Sequence, residues 1–425
     1  MFVLLAFIYL IYRYRKQSIS VLIILLFFNG LFAFFGKSVQ NGYRISLVIL
    51  TIYWILRANF FRIFSIGSIV TSFLFFSIAF IYTSYNNGDY FSIIFSQYSR
   101  YFILFSLFFI LREFWSSDSF KVWIEKLIYE ILFVQIILTL LKVIIIGTTE
   151  NIVGSVASQG GAIATTLPIL GFAFLWTKKR GKFEIRDWFF TLALVFIGFA
   201  SLKRAIWFIM PVVIILFIFY IPRKKIPPRV FIYTLLAVPL VFYLGIRYSP
   251  SLNKEGIVGG SFDINYALDY AQTYMFGENE NNQPGQGRGG ATLLVFNKLI
   301  DGNLSEKDWL GYGLRYMYTT DYSEFDELGL GISSKAAATG IFQTLVAGGY
   351  IGIFTTIWFL LSLLVQTRNR RLRYVLIGIF CWEYIFYTGM IIRDLSLSFL
   401  LIYLILYTLN SDITGKKYFT PVNET

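Results

Sequence analysis

Long apolar runs recur along almost the whole chain. A run of about 18 such residues is enough to carry a helix across the hydrocarbon core of a bilayer. Candidate spans are 1–12, 19–35, 45–56, 63–83, 97–111, 123–146, 158–177, 188–200, 205–221, 230–246, 340–365, 374–391 and 396–410. That makes about 12 or 13 crossings, depending on whether the short first run spans. In lipid the backbone must satisfy its own polar groups, and runs of this length do so as helices. The expected fold class is therefore an all-α polytopic membrane protein. Composition agrees: 14% of residues are charged, against about 25% in a soluble domain.

Composition also removes whole classes of chemistry. The chain has no histidine, so His general bases, His metal ligands and Ser-His triads are excluded. Its one cysteine, Cys381, lies inside an apolar run and rules out an internal disulfide or a Cys-based metal site. Neither a metal nor another cofactor is expected. The apolar start, Met1–Tyr12, precedes the basic cluster Arg13, Arg15 and Lys16. A cleaved signal peptide has the reverse order, so a retained segment is expected.

The formal net charge of +13 could suggest nucleic acid, but the basic residues sit in short clusters between apolar runs. Arg57/Arg62, Lys121/Lys126, Lys178–Arg180, Arg223–Lys225, Arg368–Arg373 and Lys416/Lys417 fall in alternate loops and belong in the cytoplasm by the positive-inside rule. No nucleic-acid partner is expected; the bilayer is. The other loops face out, among them the one long polar stretch. From Tyr248 to Lys335 it carries twelve acidic and six basic residues, a charge of −6, so everything outside it sums to +19. The expected organisation is a bundle over 1–247, a large outer loop over 248–339, C-terminal spans over 340–411 and a cytoplasmic tail over 412–425. Within the loop, Phe262–Phe276 and Gly290–Ile300 read as short amphipathic helices. Between them Gly277–Gly290 is too rich in Gly and Asn for regular structure and reads as a mobile lip. No internal repeat supports a transporter of the inverted-repeat kind.

Several cations break the positive-inside rule. Lys37 and Arg44 fall in the first outer loop and Arg100 at the start of a span. Lys142 and Arg247 lie near outer span ends, Lys203-Arg204 in a very short hairpin, and Arg393 in the last outer turn. Arg288 and Arg315 join them from the loop. Singly, each reads as a side chain snorkelling to headgroups or pairing with loop acids. Together they suggest an anionic ligand, because the planar guanidinium fork binds two phosphate oxygens at once. Arg204 is held between two helix ends, and Arg288 is flanked by Gly287, Gly289 and Gly290. Glu383 lies mid-span, where an ionisable group is costly: it reads equally as functional and as internally paired. Glu130 reads as structural. Asp301, Glu306, Asp308, Asp321, Glu324, Asp326 and Glu327 are all loop candidates for a general base, with nothing to separate them.

Four pieces resemble the O-antigen polymerase and ligase superfamily of bacterial polysaccharide assembly. They are Gly154-Ser155 with Gln159-Gly-Gly-Ala162; the Ser201-Leu-Lys-Arg204 turn; Arg288 at a loop helix followed by Leu310-Gly-Tyr-Gly313; and the re-entry stretch Ile341–Gly352, which includes Gln343. The motifs are short, and their order along a chain of this layout carries more weight than any one of them.

What the resemblance implies is an inverting, metal-independent glycosyl transfer on the outer side of the bacterial cytoplasmic membrane. The donor is a polyprenyl-diphosphate-linked oligosaccharide and the acceptor a sugar hydroxyl. Arg204 and Arg288 would act at the departing diphosphate. From their charge placement Lys203, Arg315, Arg100 and Arg393, with Gln343 of the re-entry stretch, are expected to bind substrate. The resemblance also allows a chain-length regulator as protein partner. Ligases of the family carry a His-Asn pair where this chain has Ala338 and Thr339, which favours a polymerase of O-antigen, capsule or exopolysaccharide over a ligase. A lipid-linked oligosaccharide flippase or exporter would not need a loop of this size. A polyprenyl-phosphate-sugar transferase of the GT-C type would place acids in its first outer loop, and Gly36–Arg44 has none.

Overall fold

A computed structural model describes residues 2–15, 17–58, 67–149, 152–157, 161–179, 183–221, 228–276, 289–290, 292–293, 296, 306–318 and 339–407. These residues are helical with no strand among them. In order they form α1 (Phe2–Arg13), α2 (Ser18–Leu26), α3 (Asn29–Phe34), α4 (Lys37–Arg57), α5 (Gly67–Asn86), α6 (Phe91–Phe114), α7 (Asp118–Ile146), α8 (Ile163–Lys178), α9 (Ile185–Ala200), α10 (Ala205–Ile215), α11 (Pro228–Tyr248), α12 (Ile264–Phe276), α13 (Glu306–Leu310), α14 (Gly340–Leu364), α15 (Arg370–Cys381), α16 (Met390–Arg393) and α17 (Leu395–Leu406). Among the described residues, α5, α6, α7 and α14 are long and apolar enough to cross a membrane. The expected helix over 262–276 is present as α12. The polar tract 277–288, most of the expected helix over 290–300, and the tail beyond 407 lie outside the described residues.

Lipid tails are as apolar as leucine, so helices in a bilayer are held by close packing and by buried hydrogen bonds. The pairing of α14 with α5 shows both. Gly348 and Gly352, four residues apart, lie against the Phe80 ring; a Cβ on Gly348 would come within 2.6 Å of it. Further along, the Ser72 and Ser362 hydroxyls are 2.8 Å apart. Phe73 of α5 stacks on Phe105 of α6 with centroids 4.1 Å apart, which joins the third helix to the pair. Such ring pairs add about 1 kcal/mol each beyond their packing.

Three helices that the apolar pattern predicts as continuous are broken, and each break has a partner that satisfies the freed backbone. The run 19–35 divides into α2 and α3 at Phe27–Phe28. There the segment 152–157, expected as an outer loop, enters the bundle and is almost wholly buried. Ser155 joins the two: its Oγ donates to the Phe27 carbonyl (3.0 Å) and its own carbonyl accepts from Gly30 N (2.9 Å). Gln135 of α7 holds Ser155 in turn, accepting from Ser155 N (2.6 Å) and donating to its Oγ (2.9 Å). A Cβ at Gly30 or Gly154 would overlap this packing, at 2.5 Å from Ala157 and 2.1 Å from Gln135 respectively. Lys142 donates to the Val153 and Gly154 carbonyls (2.8 and 2.6 Å). Its charge thus orders a buried loop.

The second break is inside α14, where Gly349 has φ 59° and ψ −157°. The carbonyls of Val346 and Ala347 accept instead from Tyr312 N (2.8 Å) and Gly313 N (3.0 Å). Gly311 reaches the break so closely that a Cβ on it would meet Gly349 N at 2.5 Å. The loop segment 311–313 therefore supplies the hydrogen bonds that the helix gives up. Asn87 Nδ2 donates to the Gly311 carbonyl (3.2 Å), and Ser84 Oγ accepts from Leu314 N (2.8 Å), so the last turn of α5 and the residue after it fasten the same segment.

The third break divides the run 374–391. After α15 the chain widens into a single π-helical turn, Trp382–Phe386, and leaves helical geometry at Tyr387. It restarts at Gly389 (φ 69°) as the four-residue α16. Glu383, wholly buried, sits under this restart: its Oε1 accepts from Met390 N (2.6 Å) and its Oε2 from Ile391 N (3.1 Å). Of its two sequence readings, the structure gives it a backbone partner.

Candidate functional site

A cavity of about 160 Å³ opens where the N-terminal halves of α4 and α6 and the start of α8 meet the α2–α3 break and the α16–α17 junction. Its lining comprises Leu26, Asn29, Tyr43, Arg44, Ser99, Arg100, Ile103, Ile163, Met390, Arg393, Asp394 and Leu395. It lies at the end of the bundle that also carries segment 306–318, because α6 and α14 both start there. At about 30 Å³ per water the space holds roughly five.

Three arginines from three separate elements line this one cavity. Arg44 lies roughly two turns into α4, and Arg100 between two and three turns into α6. Both helices start earlier than the apolar runs suggest, at Lys37 and Phe91 instead of 45 and 97. Arg44 is therefore a helix residue, not an outer-loop residue. Arg393 is the last residue of α16. Its Nη1 donates to Gln343 Oε1 (2.7 Å) and to the Thr388 carbonyl (2.9 Å). Gln343 is buried in the first turn of α14 and stands behind the arginine, outside the cavity lining. With Asp394 as the one carboxylate in the lining, the formal charge is three positive against one negative, or +2. Guanidinium groups do not lose their protons in proteins, so the site is cationic at any working pH.

Asp394 has a structural task as well. As N-cap of α17 its Oδ1 accepts from Ser396 N (3.0 Å), Leu397 N (3.2 Å) and the Ser396 hydroxyl. The sequence Asp394-Leu-Ser396 ahead of an apolar run is an N-cap signature. That signal was available, while Asp394 and Tyr43 as cavity residues were not, because nothing local brings them to Arg100.

The remaining predicted residues lie elsewhere. Arg204 lies in the hairpin Ser201–Arg204, which is closed by Lys203 N to the Gly198 carbonyl (3.0 Å). Its guanidinium covers the Tyr270 ring of α12, 4.6 Å from the centroid, and Nη1 donates to Tyr270 Oη. Lys203 shares that hairpin. Arg315 pairs through Nε with Asp89 Oδ1 (3.5 Å), a carboxylate with no exposed surface in the turn after α5. Arg247 holds the Gly259 and Gly260 carbonyls (3.0 and 2.8 Å), and Glu130 pairs with Arg13 (2.8 Å). Arg288 and the acids Asp301, Asp321, Glu324, Asp326 and Glu327 lie outside the described residues, as do the side chains of Lys37 and Glu306. Among the described residues, no group of three or more Cys, Asp or Glu is placed to hold a metal ion.

Of the resemblance motifs, two dock on each other: Leu310–Gly313 lies on the unwound turn of the stretch Ile341–Gly352. Gly154-Ser155 packs separately, beneath the α2–α3 break. No family model, curated protein or solved structure matches the chain.

Proposed function

We propose that this chain is a membrane glycosyltransferase that joins oligosaccharide repeat units carried on polyprenyl diphosphate, extending an O-antigen, capsule or exopolysaccharide. It crosses the bacterial cytoplasmic membrane about 12 or 13 times, with segment 248–339 on the outer side. The observation that supports this reading most is the cavity lined by Arg44, Arg100 and Arg393. Three guanidinium groups gathered at one end of a bundle of apolar helices suit a lipid diphosphate, which must be held beside the bilayer.

The reaction follows from that ligand. The acceptor hydroxyl oxygen attacks the anomeric carbon, and its proton passes to a base. The bond from that carbon to the diphosphate oxygen breaks with its electron pair, and polyprenyl diphosphate leaves. Negative charge grows on the leaving oxygen in the transition state. Fixed cations already aimed there lower the barrier because they need no reorganisation.

Deleting the gene and separating surface glycan by gel tests the activity. Loss of a polymerase leaves one repeat unit on the anchor. An anchor with no glycan would point to the ligase reading, and a normal ladder would overturn both. In the same assay Arg288→Ala is expected to stop elongation, as the resemblance implies.

A further inference from the structure

Glu383 is a buried carboxylate in the middle of an apolar run, and the proposed chemistry makes no use of it. Its surroundings give it a task. Both of its oxygens accept from backbone amides at the start of α16, Oε1 from Met390 N (2.6 Å) and Oε2 from Ile391 N (3.1 Å). Its own carbonyl accepts from Gly389 N (3.0 Å), so the turn 384–389 is closed at both ends on this one residue. The turn is wedged against the start of α14. Gly389 and Gly340 touch so closely that a Cβ on either would come within 2.9 Å of the other's Cα, and Gly340 N donates to the Tyr387 carbonyl (3.1 Å). Two residues beyond the second of these amides, α16 delivers Arg393 into the cavity.

We propose that Glu383 is the positioning residue of the arginine cavity: its carboxylate fixes the short helix that carries Arg393 to a bound anion. The inference rests on the cavity being the diphosphate site. A four-residue helix has no stability of its own, so the direction of Arg393 depends on what holds its ends. One end is held by Glu383. At the other, Gln343 and the Thr388 carbonyl hold the guanidinium itself. The task requires a carboxylate. Two N–H donors point at two different oxygens, and an amide side chain would turn an NH₂ group on one of them.

The test measures binding of inorganic pyrophosphate to the purified full-length protein in detergent, with thermal unfolding recorded alongside. Glu383→Gln is expected to weaken pyrophosphate roughly tenfold or more, the scale of one charge-assisted hydrogen bond. On an Arg393→Ala background the same change should weaken binding no further, because the residue acts only through Arg393. A general structural role would instead give losses that add. Glu383→Asp, which keeps the charge one methylene shorter, serves as second variant where Glu383→Gln does not accumulate. It is expected to show a smaller loss that also vanishes on the Arg393→Ala background. Losses that add in the double variants, or wild-type affinity in Glu383→Gln with Arg393→Ala impaired, would overturn the positioning role alone. A wild-type protein that does not bind pyrophosphate would overturn the reading of the cavity, and the inference with it.

Discussion

Two groups of arginines sit at the same end of the bundle, and they differ in what they meet. Arg44, Arg100 and Arg393 come from α4, α6 and α16 and converge on one cavity. Arg204 and Arg315 diverge: one covers Tyr270 of α12, the other pairs with Asp89 after α5. In each divergent case the contact joins the bundle to segment 248–339. The lesson is that charge against the positive-inside rule marks two tasks. One group is held by helices around a shared space. The other fastens a polar segment to an apolar frame.

The strongest way to break this division is to remove its members one at a time. Arg100→Ala and Arg393→Ala are expected to keep membrane levels near wild type and to lower glycan extension by a factor of about a hundred or more. Arg204→Ala should cost far less in pyrophosphate affinity, under about threefold, with its main effect on how easily segment 248–276 is cut by protease. If Arg204→Ala removes pyrophosphate binding while Arg100→Ala retains it, the assignment of tasks is reversed. Measuring both readouts on both variants sharpens the comparison, because each group should move only one of them.

The docking of segment 311–313 on the unwound turn of α14 gives the next effect in size. Gly349 has φ 59°, and a Cβ there would come within 2.5 Å of the Asp308 and Trp309 carbonyl oxygens. Gly349→Ala is expected to cost about 2–3 kcal/mol, from the backbone conformation and the overlap together. It should be read as a lower unfolding temperature and faster cleavage near 306–318. Equal stability would mean that the segment does not depend on that turn. Asp89→Asn is milder. It removes the charge opposite Arg315, a half-exposed partner, so about 1 kcal/mol is expected, with cleavage again confined to 306–318.

How much of this could be read from the sequence depends on the range of the interaction. Apolar runs report on the environment of each residue alone, and they gave the helical class and most helix centres. They failed at helix starts with polar residues. Lys37-Ser-Val-Gln-Asn-Gly-Tyr-Arg44 reads as a loop, yet it is the first two turns of α4 because Tyr43 reaches the Leu25 carbonyl (2.7 Å) and packs inward. They failed again where a helix breaks to admit another segment. Asn29-Gly30, Gly348-Gly349 and Gly389 were visible inside apolar runs, but the first two breaks are stabilised by partners far along the chain, Ser155 and Tyr312 with Gly313, and the third by Glu383 of the same run, through a turn that apolar patterning does not record. Among the cations, Arg100 and Arg393 could be singled out from charge placement. That they share a cavity with Arg44 is a property of packing between helices far apart in sequence, which no local pattern records.

The smallest expected effect lies in the segment itself, and it separates the two groups by salt dependence. Lys254 and Asp263 form an exposed pair at the start of segment 248–276. The Lys254 ammonium, with help from Tyr266 N, holds the Asp263 carboxyl below its ordinary range, and the carboxylate raises Lys254 in turn. For Asp263 the folded value is the lower one. Its contribution is therefore complete above the ordinary aspartate value and is lost as pH falls through the folded value, below about pH 4. For Lys254 the folded value is the higher one, so its contribution holds at neutral pH and is lost as pH rises past the ordinary lysine value of about 10.4. At neutral pH the pair is screened by salt. Asp263→Asn should thus change unfolding slightly at low ionic strength and not at all in about 1 M salt. The effect of Asp89→Asn should persist there, because that carboxylate is buried. If salt abolishes both effects equally, the Asp89–Arg315 contact is a surface pair and not a fastening of segment to bundle.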